Sequence, residues 1–139
     1  MEIFHVGLAI KHIINSIVGF PQQLKDKTFP LVAPVGTTFP FITYRRTSGS
    51  LIRNCKDGEE ENVVVEMKLF TETYNEAIPL MHTLVNAFVH RWEHYVPEPS
   101  DPEMRDIMRA IDDINLTQSS EEFYDNTYIQ TIYLEITFK

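Results

Sequence analysis

The sequence has a single cysteine, Cys55, among its 139 residues. One cysteine cannot form an internal disulfide, and no second thiol is available for a thiolate zinc site, so the chain is typical of a protein made in a reducing cytosol. Glycine occurs only five times and never in a G-x-G-x-x-G or Walker pattern, and no serine lies in a G-x-S-x-G elbow. The sequence therefore offers no phosphate-binding loop and no nucleophilic serine.

Basic residues are also scarce, with twelve Lys and Arg against twenty Asp and Glu, which gives a net charge of -8. A surface of this sign repels phosphates, so we expect no direct sequence-specific contact with nucleic acid. The apolar residues near the start are interrupted by Glu2, His5 and Lys11, which suits neither a signal peptide nor a membrane span. We expect a soluble protein without a membrane partner.

The composition is that of a folded domain, because 43% of the residues are hydrophobic and 12% are aromatic. A chain of this length is one domain by the usual size rule, here residues 1–139. The clearest pattern lies in Val63–Phe70, where apolar residues alternate as they do along a strand. A helical stripe with three- and four-residue spacing follows it and consists of Ala77, Leu80, Met81, Leu84 and Phe88.

The start of this second helix has two interpretations. Thr73 and Glu76 fit a capping box, but a helix that begins there would contain Pro79 one turn inside. A start at Asn75 leaves the proline in the tolerated first turn, and we prefer that start.

Other patterns predict the remaining elements. They are an opening helix at Ile3–Ile17, a proline-punctuated edge strand at Phe29–Val35, and strands at Phe41–Thr47, Ile111–Thr117 and Tyr128–Phe138, with a short helical turn at Glu103–Arg109. The predicted fold class is α+β, with a mainly antiparallel sheet of about four to five strands, an N-terminal helix and a central helix packed on it. We predict a connecting loop at 118–126 and mobile loops at 48–62 and 95–103.

His90, Glu93 and His94 form the pattern H-x-x-E-H, which on a suitable helix holds zinc with the glutamate as general base. The spacing is right, but the pair falls on the helix side opposite the apolar stripe. Pro97 closes the helix soon afterwards, and no third ligand is evident. A zinc hydrolase is therefore a distant alternative, and we predict no catalytic, cofactor-binding or metal-binding residues.

The second face of the predicted sheet is too apolar for an ordinary solvent face. It carries Val64, Phe70, Ile129 and Tyr133 among polar residues. Two explanations are equally plausible, namely that the opening helix covers this face or that another subunit does. Leu51 and Ile52, apolar residues in the polar 48–62 segment, are a second candidate contact, unless they tuck inward.

Taken in order, several segments resemble the tail-completion proteins of long-tailed bacteriophages and prophages, a family grouped with tail terminators and head–tail joining proteins. They are the isoleucine-rich opening helix, Pro40–Gly49, Val63–Phe70, Tyr74–Ala77 and Leu134–Phe138. The similarity extends over nearly the whole chain, although its motifs are positional and not catalytic. The proline-rich segment 96–102 departs from the family pattern.

The resemblance implies a non-enzymatic subunit without cofactors that assembles with itself into a hexameric ring at the end of a tail tube. Its further partners would be tail-tube and head-connector proteins, first in the bacterial cytoplasm and then in the virion tail. The net charge suggests that acidic walls would let DNA pass through such a ring without holding its phosphates. A small non-catalytic binding module for an unknown partner remains the alternative.

Overall fold

The structure is a computed structural model that describes residues 2–54, 58–89 and 97–139. Its strands form one five-stranded sheet in the order β1-β2-β3-β5-β4. The first pair is parallel and the other three pairs are antiparallel. The strands are β1 (Thr28–Pro30), β2 (Phe41–Asn54), β3 (Gly58–Thr71), β4 (Ile111–Tyr124) and β5 (Thr127–Phe138).

The described helices contribute to a single core beside this sheet. They are a 3₁₀ turn at Ile3–His5 and the α-helices α1 (Val6–Ser16), α2 (Gln22–Asp26), α3 (Tyr74–Val89) and α4 (Pro102–Ala110). Helix α1 contacts β2, α3 and α4, while α3 lies on β3, β4 and β5. The predicted α+β class, with an N-terminal and a central helix on a mainly antiparallel sheet, is confirmed.

Helix α1 follows the predicted apolar spacing. Val6, Ile10, Ile13 and Ile14 are buried, because residues three and four apart share one face of a helix. Beyond the helix, Gly19 has a positive φ of 85°, a backbone conformation that glycine adopts without steric cost. The opening helix therefore packs its isoleucines into the core as its sequence predicts.

The preferred start of α3 at Asn75 is wrong. The helix begins at Tyr74, and the Thr73 hydroxyl accepts a hydrogen bond from the Glu76 amide at 3.3 Å. Pro79 lies inside the helix, where it removes the backbone hydrogen bond that residue 79 would donate to Asn75. The cap and the packing of the apolar stripe outweigh that loss.

The expected loops at 48–62 and 118–126 are wrong as secondary structure, because β2, β3 and β4 each run for fourteen residues. Both segments are mostly polar, so they lack the one-sided alternation that marks a half-buried strand. The turn between β4 and β5 is only Asp125 and Asn126, with φ of 52° and 59°, as a tight two-residue hairpin requires. The mobility of 48–62 and 95–103 stays a prediction.

The expected edge strand at Phe29–Val35 is shorter than predicted. Strand β1 ends at Pro30, and Leu31 takes a positive φ of 66°, which breaks the extended conformation. The predicted turn near Glu103–Arg109 is a full helix, α4, whose N-terminus is capped by the Asp101 carboxylate through the Met104 amide at 3.0 Å.

The two faces of the sheet differ sharply. The covered face packs against the helices and consists of Ile42, Val63, Val65, Met67, Leu69, Ile114, Ile132, Leu134, Ile136 and Phe138, all of them buried. The opposite side, here called the open face, carries the alternate residues of β2, β3 and β5.

Candidate assembly surface

The open face brings together the four residues that the sequence selected on it. Phe70 lies opposite Ile129, and Val64 and Tyr133 lie nearby on the same side of β3 and β5. The apolar residues of α1, α3 and α4 join one cluster with the covered face, and none of these four belongs to it. Coverage of the open face by the opening helix, one of the two explanations offered above, is therefore wrong.

Leu51 and Ile52 lie farther along β2, in its outer segment Ser48–Asn54. Strand alternation places them on opposite sides, with Leu51 beside Glu61 and Ile52 beside Glu60. Leu51 is half-buried on the covered side, and Ile52 is 46% exposed on the open side. Of these two residues, only Ile52 lies on the open face with Val64.

The centre of the open face is a charged network around Glu66. Its carboxylate accepts hydrogen bonds from Arg45 Nε at 3.0 Å and from the Tyr133 hydroxyl at 2.8 Å. Lys68 Nζ lies 3.9 Å from the same carboxylate. Glu66 is only 7% exposed, so these three side chains from β2, β3 and β5 shield it although no described helix covers it.

The electrostatics of this network keep Glu66 ionised. Burial acts to raise the pKa of Glu66, but the hydrogen bonds from Arg45 and Tyr133 and the charge of Lys68 outweigh it, so the pKa lies below its ordinary value of 4.5. The hydrogen bond to Glu66 raises the pKa of Tyr133. A carboxylate that is ionised at neutral pH and engaged by three neighbours is suited to fixing the surface and not to transferring protons.

An aromatic row borders the network on the β2 side. Phe41 stacks on Phe70 with ring centroids 4.6 Å apart, and Phe39 stacks on Phe41 at 5.5 Å. Beside this row, the segment after β1 exposes Leu31 and Val32 and closes a groove of about 480 Å³. Large exposed apolar groups next to a structured polar centre are typical of protein–protein interfaces.

Sequence reasoning missed much of this surface. Alternation along β3 places Glu66 on the same side as Val64 and Phe70, but nothing local in the sequence identifies Arg45 as its partner. The two residues pair across β2 and β3, and Tyr133 joins them from β5. Alternation from Phe41 through Thr43 to Arg45 was a usable signal, since it places Phe41 and Arg45 on one face.

The hydrolase motif of His90, Glu93 and His94 lies outside the described residues, as does Cys55. In residues 2–54, 58–89 and 97–139, no three His, Cys, Asp or Glu side chains are grouped as metal ligands would be. None of the described helices combines the length and apolar character that crossing a bilayer requires.

Comparison with solved structures shows that the fold recurs elsewhere. One similar chain belongs to a structure described as the virion of a native gene transfer agent (GTA) particle, with a TM-score of 0.60 and 7% sequence identity. The similarity covers 94% of this chain and 92% of that chain. No family model and no curated protein matches the sequence. The two chains therefore share a fold over nearly their whole length.

Proposed function

We propose that the protein is a structural subunit of a phage-like virion that terminates the tail tube or joins it to the head, and that it acts by assembling into a ring. The observation that carries this proposal is the similarity to a GTA virion chain, which extends over 94% of this chain. The sequence resemblance to tail-completion proteins supports the same function.

The open face supports an assembly role for this fold. Phe70 and Tyr133 occupy a surface that no described helix covers, beside the exposed Leu31 and Val32. A subunit with these features gains by burying them against another protein. Under this proposal the partners are further copies of the chain together with tail-tube and head-connector proteins, and no enzymatic step is needed.

Sedimentation velocity across a wide concentration range, followed by negative-stain microscopy, tests the proposal. We expect a concentration-dependent shift from monomer to one discrete oligomer, seen as rings with a central opening. A ring is a closed assembly, so the sedimentation coefficient should reach a plateau and not grow without limit.

The alternative, a small binding module with a single partner, predicts a monomer at every concentration. A monomer throughout the series would contradict the ring proposal. Rings without a central opening would contradict a role at the end of a tube through which DNA passes.

A further inference from the structure

Both lateral edges of the sheet have free backbone groups. Strand β1 pairs with β2 only at Ile42–Tyr44, and its extension adds one bond from the Leu31 amide to the Tyr44 carbonyl. Among the described residues, no other strand pairs with the outer edge of β2 from Arg45 to Asn54. The outer edge of β4 is likewise unpaired along Ile111–Tyr124. Free edges of this length are templates for adding another strand.

The two edge strands carry opposite charge. Strand β2 contains Arg45, Arg46 and Arg53 and no acidic residue, whereas β4 contains Asp112, Asp113, Glu121 and Glu122 and no basic residue. Two β2 edges therefore repel one another, as do two β4 edges, and charge favours only the contact between β2 and β4. Such a contact joins different surfaces of two copies and leads head-to-tail to a ring.

We propose that β4 of one copy pairs antiparallel with the free edge of β2 of the next copy. This inference rests on the proposed assembly function and specifies the contact through which it acts. The strand directions alternate across β2, β3, β5 and β4, so two copies set side by side with their strands in the same sense place β4 antiparallel to the neighbouring β2. The register below also shifts each copy along the strands of its neighbour, so in a closed ring the strands tilt relative to the ring axis, as they do in closed barrels.

A register that pairs two charges on each side of the sheet satisfies both charge and side-chain direction. Pairing Arg46 with Glu121 puts two side chains of the covered side opposite each other, because their inner partners Val65 and Gln130 both lie on that side. The next position then pairs Arg45 with Glu122 on the open side.

The same register aligns two leucines on the covered side of the sheet. On β3, the partners of Arg46 and Leu51 lie four positions apart, at Val65 and Glu61. On β5, the partners of Glu121 and Leu116 are also four positions apart, at Gln130 and Leu134. Leu51 therefore meets Leu116, which is 39% exposed. The register that the charges set thus also joins two apolar side chains.

The apolar ends of the two strands also meet. Beyond Glu122, Phe123 and Tyr124 are 60% and 72% exposed. Beyond Arg45, the neighbouring copy presents Leu31 and Val32, which are 72% and 75% exposed. The ladder between the copies ends at Glu122, because β1 already occupies the outer edge of β2 at Ile42–Tyr44. At that end the four apolar side chains come together next to the paired charges, where burial would stabilise the contact.

The charged groups keep capacity for these new contacts. Tyr74 and Gln130 both donate to the same oxygen of Glu121, Oε2, so within residues 2–54, 58–89 and 97–139 nothing donates to Oε1, which can accept from Arg46. The Arg46 guanidinium donates to the Ile3 carbonyl through Nη1 and has four further N–H groups.

Cysteine cross-linking tests the register directly. In a Cys55→Ser background, the variant Leu51→Cys/Leu116→Cys should form covalent oligomers on mild oxidation, seen as a ladder on a non-reducing gel. Within one chain these positions are three strands apart across the sheet and four residues apart along it, about 20 Å in all, which is too far for a disulfide. Every cross-link must therefore join two copies.

A matched control changes only the register. Leu51→Cys/Ser120→Cys, in the same background, places the second cysteine on β4 but away from Leu51 and on the other side of the sheet. We expect no ladder from it. Equal ladders from both variants would indicate random collision and would overturn the proposed register.

Charge reversal supplies a second measurement on the unlinked protein. Glu122→Arg replaces the attraction to Arg45 by repulsion, and we expect assembly to weaken about three- to tenfold. Glu103→Arg changes the net charge equally on the exposed start of α4 and should leave assembly unchanged.

The outcomes separate this inference from the proposed function. Wild-type rings together with no ladder, or with equal effects of Glu122→Arg and Glu103→Arg, would overturn the β2–β4 contact while leaving the ring proposal in place. A wild type that is monomeric at every concentration, together with no ladder from Leu51→Cys/Leu116→Cys, would overturn both.

Discussion

The covered and open faces of the sheet belong to the same strands but bury their side chains in different ways. On the covered face, Met67 and Leu134 are fully buried by helices from elsewhere in the chain. On the open face, Glu66 is nearly as buried, yet the side chains that shield it are its strand neighbours Arg45, Lys68 and Tyr133. The covered face thus holds most of the monomer's hydrophobic stabilisation, while the open face is kept rigid by polar contacts.

This difference indicates how an assembly subunit can stay folded before it meets a partner. A wholly apolar second face would favour aggregation, and a wholly solvated one would offer little area to bury. The ionised network around Glu66, bordered by the stacked rings of Phe41 and Phe70, lies between these extremes. Matched substitutions on the two faces test whether they differ in what they contribute to the stability of the monomer.

The largest expected effect comes from the helix layer that packs on the covered face. Phe88→Ala removes a fully buried ring of α3 and should lower the free energy of unfolding by about 3–5 kcal/mol. The matched change Phe70→Ala, at a half-buried ring of the open face, should cost about 1–2 kcal/mol, from partial burial and one stacking contact. Urea denaturation of the monomer measures both values. Equal losses would mean that the two faces share the hydrophobic stabilisation.

The second effect concerns the polar network and its dependence on pH. Glu66→Gln leaves Arg45 and Tyr133 without their ionised partner and should cost about 1.5–3 kcal/mol at pH 7. Because the folded pKa of Glu66 is lowered, the stability that its charge supplies is present above the ordinary value of 4.5 and is lost as the pH falls through the lower folded value.

The difference between wild type and Glu66→Gln should therefore stay constant from pH 7 to about pH 5 and shrink below it. Denaturation midpoints measured at several pH values test this, with Glu103→Gln on α4 as an exposed control that should show little difference. A gap that widened in acid would contradict the lowered pKa.

Periodicity predicted those elements that have one apolar and one polar side. The stripe of α3 and the alternation of Val63–Phe70 each bury one side against a partner, so the pattern of burial is written in the local sequence. The start of α3 is harder to predict, because an interior proline costs about 3 kcal/mol and a cap stabilises by only about 1 kcal/mol, so local terms alone favour a start that keeps Pro79 in the first turn. The structure settles it through a contact that the sequence also allows.

The outer segments of β2 and β4 could not be predicted in the same way. Ser48–Asn54 and Gln118–Tyr124 extend these strands mainly by backbone pairing, and a strand that is mostly polar on both sides has the composition of a loop. Likewise, the Glu66 network joins residues 21 and 67 positions apart. Only the order of the strands brings these residues together, and a single sequence does not reveal that order.

The smallest effect gives the sharpest comparison, because Val64 and Val65 are neighbours in sequence on opposite faces. Val65→Thr places a hydroxyl against the helices at a site that is 1% exposed and should cost about 1–2 kcal/mol. Val64→Thr, on the half-exposed open face, should change monomer stability by less than about 0.5 kcal/mol, since threonine suits a strand equally well. If assembly buries Val64, the same substitution weakens the oligomer while leaving the monomer intact. Sedimentation and denaturation of the two variants therefore distinguish a face that stabilises the fold from a face that serves association, and a loss of monomer stability at Val64 equal to that at Val65 would contradict the distinction.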